Sequence, residues 1–296
     1  MGGNRRMAIF TLSAFADEYS PIFDEQIKGL RANGMHLIEL RGIDEINISD
    51  LSDEKAREVK AKLDVAGIGI SALGSPIGKI RIDEDFEAHK AKLRRTCEIA
   101  GILGAKRIRM FSFFMPEDCA DVSVYREEVM ARMGAMLDIA EEYGVQLCHE
   151  NEKGIYGDTP ERCLELLRAF PGRLGCVFDP ANFIQVGAKP FPDAYMALEK
   201  HVTYVHIKDC AASGTIVLPG YGVGGIPEMF AYLNRTVCGE IVVTMEPHLK
   251  TFAGLSALEG NEKTKISDNV FATNEEAFTA AADSMKMCMP KTAVVR

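Results

Sequence analysis

The chain reads as an α/β protein folded as a single (β/α)8 TIM barrel over residues 1–296, with the active site at the C-terminal ends of the strands. Three observations predict this. Apolar runs of strand length alternate with amphipathic runs of helix length from end to end, eight of each. No low-complexity linker or shift of composition divides them. Four of the strand-like runs also end in metal-binding side chains: VQLCHENE with Glu150, GCVFDPAN with Asp179, YVHIKD with His206 and IVVTMEPH with Glu246. They recur at intervals of roughly 30 to 40 residues, room for one strand, one helix and two loops, which in a repeating β/α chain brings consecutive strand tips to one end of a barrel.

The elements follow in order. MGGNRR (residues 1–6) is an N-terminal extension, either disordered or folded back on the barrel bottom. MAIFTLSAF is the first strand, and PIFDEQIKGLRANG the first helix, closed by Gly34. HLIELRG is the second strand. Ser52 caps the helix that ends at Gly67, and IGISALGS is the third strand. The third helix runs from about Asp83 to Gly104, with Phe86, Leu93, Cys97, Ala100 and Leu103 on one face. KRIRMFSF is the fourth strand. Tyr125, Val129, Met133, Met136 and Ala140 form the inner stripe of the fourth helix, which ends near Gly144. After the fifth strand, Thr159 and Pro160 mark a helix start. A short helix follows Asp193 after the sixth strand, and Pro227 opens a helix through Asn234 after the seventh. Thr273 and Glu276 make a capping box for the last helix, and the stretch from Leu249 to Ala272 before it reads as a surface loop.

An open doubly wound sheet is the competing architecture, but no GxGxxG follows the first strand. With 47% hydrophobic and 26% charged residues the balance is that of a globular chain. The formal net charge of −9 and the lack of a Lys/Arg-rich block argue against nucleic acid as a partner. No apolar stretch reaches membrane-spanning length, and no h-region follows MGGNRR. Eight cysteines without a CxxC pair read most simply as reduced thiols in a cytoplasmic protein.

Strand parity sorts the candidate residues. Glu150 shares its face with Glu152, His206 with Lys208, and Glu246 with Thr244 and His248; Asp209 takes the opposite face to Lys208. Two Glu, one Asp and one His offer a mainly oxygen shell, which suits Mn²⁺ or Mg²⁺ with Co²⁺ or Zn²⁺ as further candidates. Four protein ligands on a six-coordinate metal leave room for a carbonyl and a neighbouring hydroxyl of a sugar. The metal would acidify the adjacent C–H, and a carboxylate beside it would carry the proton through an enediolate. Each residue singly has a plainer reading: Glu150 as a solvated loop residue, Asp179 as a turn before Pro180, His206 as a core histidine, Glu246 as a strand-end charge. Their joint fall at consecutive strand ends favours the site. The glycine-rich PGYGVGG (residues 219–225) is a phosphate-loop candidate, with a turn that merely needs glycine the preferred reading. Arg109 and Phe111, Glu39 and Arg41 are candidates to line the pocket.

At HENEKGIYGDTPE, FDPANF, YVHIKD and MEPH the chain resembles the xylose isomerase-like barrel superfamily, in its sugar isomerase/epimerase branch, and the likeness covers nearly the whole chain. The resemblance implies metal ligands at Glu150, Asp179, His206 and Glu246, with Glu150 and Glu246 also the catalytic acid/base pair. It implies a small-molecule sugar or keto-sugar substrate, a divalent metal with Mn²⁺ foremost, and a homodimer or homotetramer. Glu152, Asn182, Lys208, His248 and Arg109 are the expected substrate-binding residues. Two departures stand out. Asn182 occupies a position where the family's epimerases commonly carry His, and CAASGTIVLPGYG holds no Arg where those epimerases commonly place one. The expected function is therefore a divalent-metal-dependent sugar isomerase or epimerase, with a lyase or dehydratase on a keto-sugar or inosose as the alternative. An endonuclease of the same superfamily needs a His-rich three-zinc cluster, which six histidines in this arrangement do not supply.

Overall fold

The computed structural model describes residues 8–258, 263–267 and 270–296. The extension MGGNRR lies outside them. Eight strands form the barrel wall: β1 (Ala8–Ala14), β2 (Leu37–Leu40), β3 (Gly69–Gly74), β4 (Arg107–Met110), β5 (Gln146–Glu150), β6 (Leu174–Phe178), β7 (Val202–Ile207) and β8 (Gly239–Met245). Parallel ladders run β1-β8-β7-β6-β5-β4-β3-β2. β1 packs beside β2 without a ladder. The remaining edge of β1 is taken by a short C-terminal strand, β9 (Val294–Val295), where the Arg296 amide donates to the Phe10 carbonyl at 2.9 Å.

Both faces of these strands are covered, so most of them read as continuous apolar runs rather than as alternating ones. Ala72, Cys148, Val177 and Tyr204 fill the middle of the barrel. Ser13 and Ser71 join across it with their hydroxyl oxygens 2.8 Å apart. The polar site stands on this floor, and the Tyr204 hydroxyl reaches up to donate to Glu39 at 2.9 Å.

The helices follow local signals. The Ser52 hydroxyl accepts from the Lys55 amide at 3.1 Å to start α2 (Asp53–Ala66), after α1 (Phe23–Ala32), and left-handed Gly67 ends it. α3 (Phe86–Leu103) starts three residues later than expected, because the Asp85 carboxylate caps it through the Glu87 amide at 2.9 Å. α4 (Arg126–Glu142) and α5 (Pro160–Ala169) follow, the latter capped by Thr159. A helix the sequence reading missed, α6 (Pro180–Gln185), comes next. Proline at its first position lacks the amide a helix start cannot use, and Asp179 caps the Asn182 amide at 3.0 Å. α7 (Tyr195–Leu198) is the short helix expected after Asp193. α8 (Ile226–Thr236) follows β7, and two helices follow β8: α9 (Leu255–Leu258) and α10 (Asn274–Cys288). Thr273 accepts from the Glu276 amide at 3.1 Å, while the Glu276 carboxylate turns back to Ala272 at 2.8 Å, one residue short of a standard capping box.

Residues 259–262 and 268–269 of the Leu249–Ala272 stretch lie outside the described residues, and its first part corrects the surface-loop reading. Leu249, Phe252 and Leu255 are buried, and Phe252 lies across the strand-end mouth against Arg41 and His248. A buried aromatic among Gly, Ser and Lys residues has no periodicity to announce it.

Candidate metal centre

Glu150 ends β5, Asp179 follows β6, His206 lies near the end of β7 and Glu246 follows β8. The barrel brings one ligand atom from each to within 4.8 Å of the others, and all four side chains are buried. His206 Nδ1 faces the cluster, 3.0 Å from Glu150 Oε1 and 3.7 Å from Glu246 Oε2. Its Nε2 is 3.2 Å from Glu39 Oε2 on β2, which fixes the ring orientation. The Asn151 side-chain amide clamps the Asp179 main chain, donating to its carbonyl at 2.9 Å and accepting from its amide at 3.0 Å.

A second set of charged groups holds these carboxylates from behind. The Arg41 Nη1 donates to Glu246 Oε1 at 2.9 Å. Its Nε and Nη2 donate to the two oxygens of Asp17 at 2.8 and 3.0 Å, and Nη2 also reaches Glu18 at 3.1 Å. The guanidinium lies between the Phe15 and Phe252 rings, 4.3 and 4.7 Å from their centroids. Arg109 Nη1 donates to Glu150 Oε2 at 2.9 Å, while its Nε and Nη2 have no hydrogen-bond partner among the described residues. Lys208 Nζ lies 3.0 Å from Asp179 Oδ2 and 3.0 Å from Glu246 Oε2.

Burial by itself would raise every carboxyl pKa here, and the neighbours decide the outcome. For Glu150 the His206 and Arg109 charges override burial and hold the carboxyl down at about 2. For Glu246 burial is likewise overridden, by Lys208 and His248, and the group is held well below the usual carboxylate range. Asp179 goes the other way: burial, reinforced by Glu150 and Glu246, overcomes Lys208 and pushes it up to about 7. Burial also pushes Glu18 up to about 8, against the opposing pull of Arg41.

A family model described as xylose isomerase-like TIM barrel matches residues 27–267. The chain belongs to the xylose isomerase-like TIM barrel family. No curated protein gives a significant match. Among solved structures, a D-psicose 3-epimerase crystallised in the presence of D-fructose superposes with a TM-score of 0.72 at 17% identity, over 94% of this chain and 97% of its own. The IolI protein with a binding zinc atom gives 0.69 at 18% identity, over 95% and 97%. AsbF from Bacillus anthracis, a probable 3-DHS dehydratase involved in petrobactin synthesis, gives 0.70 at 17%, over 97% and 100%. At these identities the likeness is one of fold.

The donor set of this family member fits a divalent cation. Three carboxylates and an imidazole converge from four strand ends, and Asp179 Oδ2 accepts no well-aligned hydrogen bond despite being fully buried. The ammonium of Lys208 is the only formal positive charge set against that oxygen at ion-pair distance among the described residues.

The remaining sequence candidates fall around the cluster. Glu152 pairs with Lys79 at 3.3 Å. Asn182 spends its amide on the Asn151 carbonyl at 2.8 Å and on Glu150 Oε1 at 3.4 Å. His248 Nε2 stands 3.4 Å from Glu18 and 3.5 Å from Glu246, with its ring stacked on Phe252. Glu39 and Arg41, pocket-lining candidates from the sequence, are integral to the network. Asp17 and Glu18 were missed; an acidic pair directly after the first strand was the available signal.

The PGYGVGG segment is not arranged for phosphate. The amides of Gly220, Gly222 and Gly224 all donate to the Asp209 carboxylate at 2.9 to 3.0 Å. A Cβ at Gly222 would come within 2.3 Å of Asp209 Oδ1, so the glycines let the backbone wrap this internal anion. No helix among the described residues is long and apolar enough to cross a membrane.

Proposed function

We propose that the protein is a divalent-metal-dependent isomerase or epimerase of a small keto sugar, working by proton transfer next to the sugar carbonyl. One observation supports this above the others: Glu150 and Glu246, on different barrel walls, flank His206 within one cation-sized cluster. Glu150, Asp179, His206 Nδ1 and Glu246 would hold the metal. When bound, a divalent cation, Mn²⁺ by the oxygen-rich donor set, would polarise the carbonyl and acidify the C–H beside it.

The chain supplies the rest. Glu246 is kept ionised and so is a base at neutral pH. Arg41 pins its Oε1, which leaves a defined lone-pair direction for the incoming proton. Glu150 is ionised too, with Oε2 pinned by Arg109. Two bases on two walls can serve the two faces of one planar intermediate, which is what epimerisation or isomerisation needs. Buried Tyr204 and Val177 form an apolar floor and Phe252 lies across the mouth, an enclosure that would limit competition from water for that proton.

A lyase or dehydratase is the second reading, and Lys208 supports it. Its ammonium touches both Asp179 and Glu246 inside the site, where it could protonate a leaving hydroxyl. Asn182, whose amide is already spent on Glu150 and Asn151, offers no such proton.

The test is proton NMR of ketoses, inosose and 3-keto glucosides in D₂O with Mn²⁺ or Mg²⁺ and an EDTA control. Metal-dependent deuterium uptake beside a carbonyl supports the reading, and the product separates isomerase from lyase. Glu246→Gln should abolish the exchange; full exchange in that variant would remove Glu246 from the mechanism.

A further inference from the structure

Two arginines enter the strand-end mouth and are used differently. Arg41 turns its Nε–Nη2 edge to Asp17 and makes the planar two-point pairing characteristic of guanidinium with carboxylate, at 2.8 and 3.0 Å. Arg109 spends Nη1 on Glu150 Oε2, and the same Nε–Nη2 edge meets no acceptor among the described residues. The residue is 2% exposed, so these donors are not answered by bulk solvent, and unanswered buried donors are costly.

The surroundings fix this edge in place. The guanidinium lies near the Phe15 and Phe111 rings, 5.3 and 4.7 Å from their centroids, so aromatic contact holds the group without supplying an acceptor. Gly74 keeps the flank clear, since a Cβ there would stand 3.0 Å from Nη2 and 2.4 Å from the Phe15 ring. Nη1 holds a ligand-cluster carboxylate, so the edge lies on the flank of the cluster itself.

We propose that the Nε–Nη2 edge of Arg109 recognises a carboxylate on the substrate, which makes the substrate an acidic keto sugar or keto polyol. This rests on the proton-transfer reading above and narrows its substrate class. A carboxylate matches the edge in shape and in number of acceptors, as the Arg41–Asp17 pair shows within the same mouth. A phosphate ester would draw on several donors at once. The glycine-loop amides that could have provided them already serve Asp209.

The experiment is calorimetric titration of the Mn²⁺-loaded full chain with matched ligands: D-fructose, D-fructuronate and D-fructose 6-phosphate, with scyllo-inosose and 3-dehydroquinate as a cyclic pair. At least one carboxylate ligand is expected to bind about tenfold or more tighter than its neutral partner, the range of a charged hydrogen-bond pair. Arg109→Gln should bring that ratio close to one. Arg109→Lys should restore only part of it, because an ammonium cannot make two parallel bonds. Equal affinities in wild type, tightest binding of the phosphate ester, or a preference that survives Arg109→Gln overturns the proposal. The wild-type comparison stands even if the variants fail to fold. Neutral ketoses that bind and exchange deuterium without any carboxylate preference overturn this proposal alone. No binding and no exchange with any ligand overturns it together with the proton-transfer reading.

Discussion

The Lys208 ammonium lies 3.0 Å from the Asp179 carboxylate, inside the cluster that would hold the metal rather than beside it. It shares Glu246 at the same distance, so one ammonium is set against two of the three carboxylates. Lys208→Met should therefore destabilise the metal-free protein by about 3–5 kcal/mol, the cost of leaving buried charge uncompensated. A divalent cation would supply the missing charge, so the loss should shrink when Mn²⁺ is present. Thermal melts of wild type and variant, each with Mn²⁺ and with EDTA, check this; equal losses in both media would contradict it.

Metal should stabilise the fold through the same four residues. At a free concentration of about 100 times Kd, Mn²⁺ is expected to add about 2.7 kcal/mol. Asp179→Asn keeps the helix cap on the Asn182 amide feasible while removing the charge. The Mn²⁺-dependent rise in melting temperature should fall sharply in that variant, with metal content by atomic absorption as the companion measurement.

Acid should weaken the fold through two buried histidines. Burial pushes both His89 and His149 down to about 4 from an ordinary value of 6.5. His89 Nε2 accepts from the Gly78 amide at 2.7 Å, and that bond requires the neutral ring. At these two groups the unfolded chain binds more protons than the folded one between these pH values, so their contribution to stability is full above about 6.5 and is lost as pH falls toward 4, while Asp179 and Glu18, pushed up to about 7 and about 8, contribute with the opposite slope. Each histidine should account for a loss on the order of 3 kcal/mol across that window. Denaturant melts of wild type and His89→Asn between pH 7 and 4 isolate the His89 contribution as their difference, and wild type should lose stability relative to the variant as pH falls.

Two glycines should respond very differently to a methyl group. At Gly34, with φ of +65° and no atom within 4 Å of a Cβ, alanine meets only backbone strain and should cost about 1 kcal/mol. At Gly222 the Cβ would strike Asp209 Oδ1 at 2.3 Å and the Cys210 carbonyl at 2.4 Å. The loop must shift, and Gly222→Ala should cost about 2–4 kcal/mol. Urea midpoints of the two variants give the comparison.

The repeat of strand and helix was legible because each strand is covered on both faces and each helix is amphipathic, so period and length separate them. The four clustered residues were legible for the same reason: strand ends are easy to place, and a barrel puts strand ends together. What lay behind them was not. Asp17 reaches the cluster through Arg41, and Glu18 through Arg41 and His248, from the turn after the first strand, and no spacing rule links residue 17 to residue 246. Phe252 enters the mouth from an irregular stretch by tertiary packing alone. α6 was hidden because Asp-Pro announces a turn as readily as a helix start.

Asp209 gives the glycine loop a ligand that never dissociates. Three amides close on a carboxylate carried by the same chain, so the loop is a receptor permanently occupied by its own tethered anion. Diffusible oxyanions must compete with an effective concentration that no metabolite reaches. The loop's three amides are thereby spoken for by a side chain of their own chain, and Asp209→Gly would leave them without that acceptor.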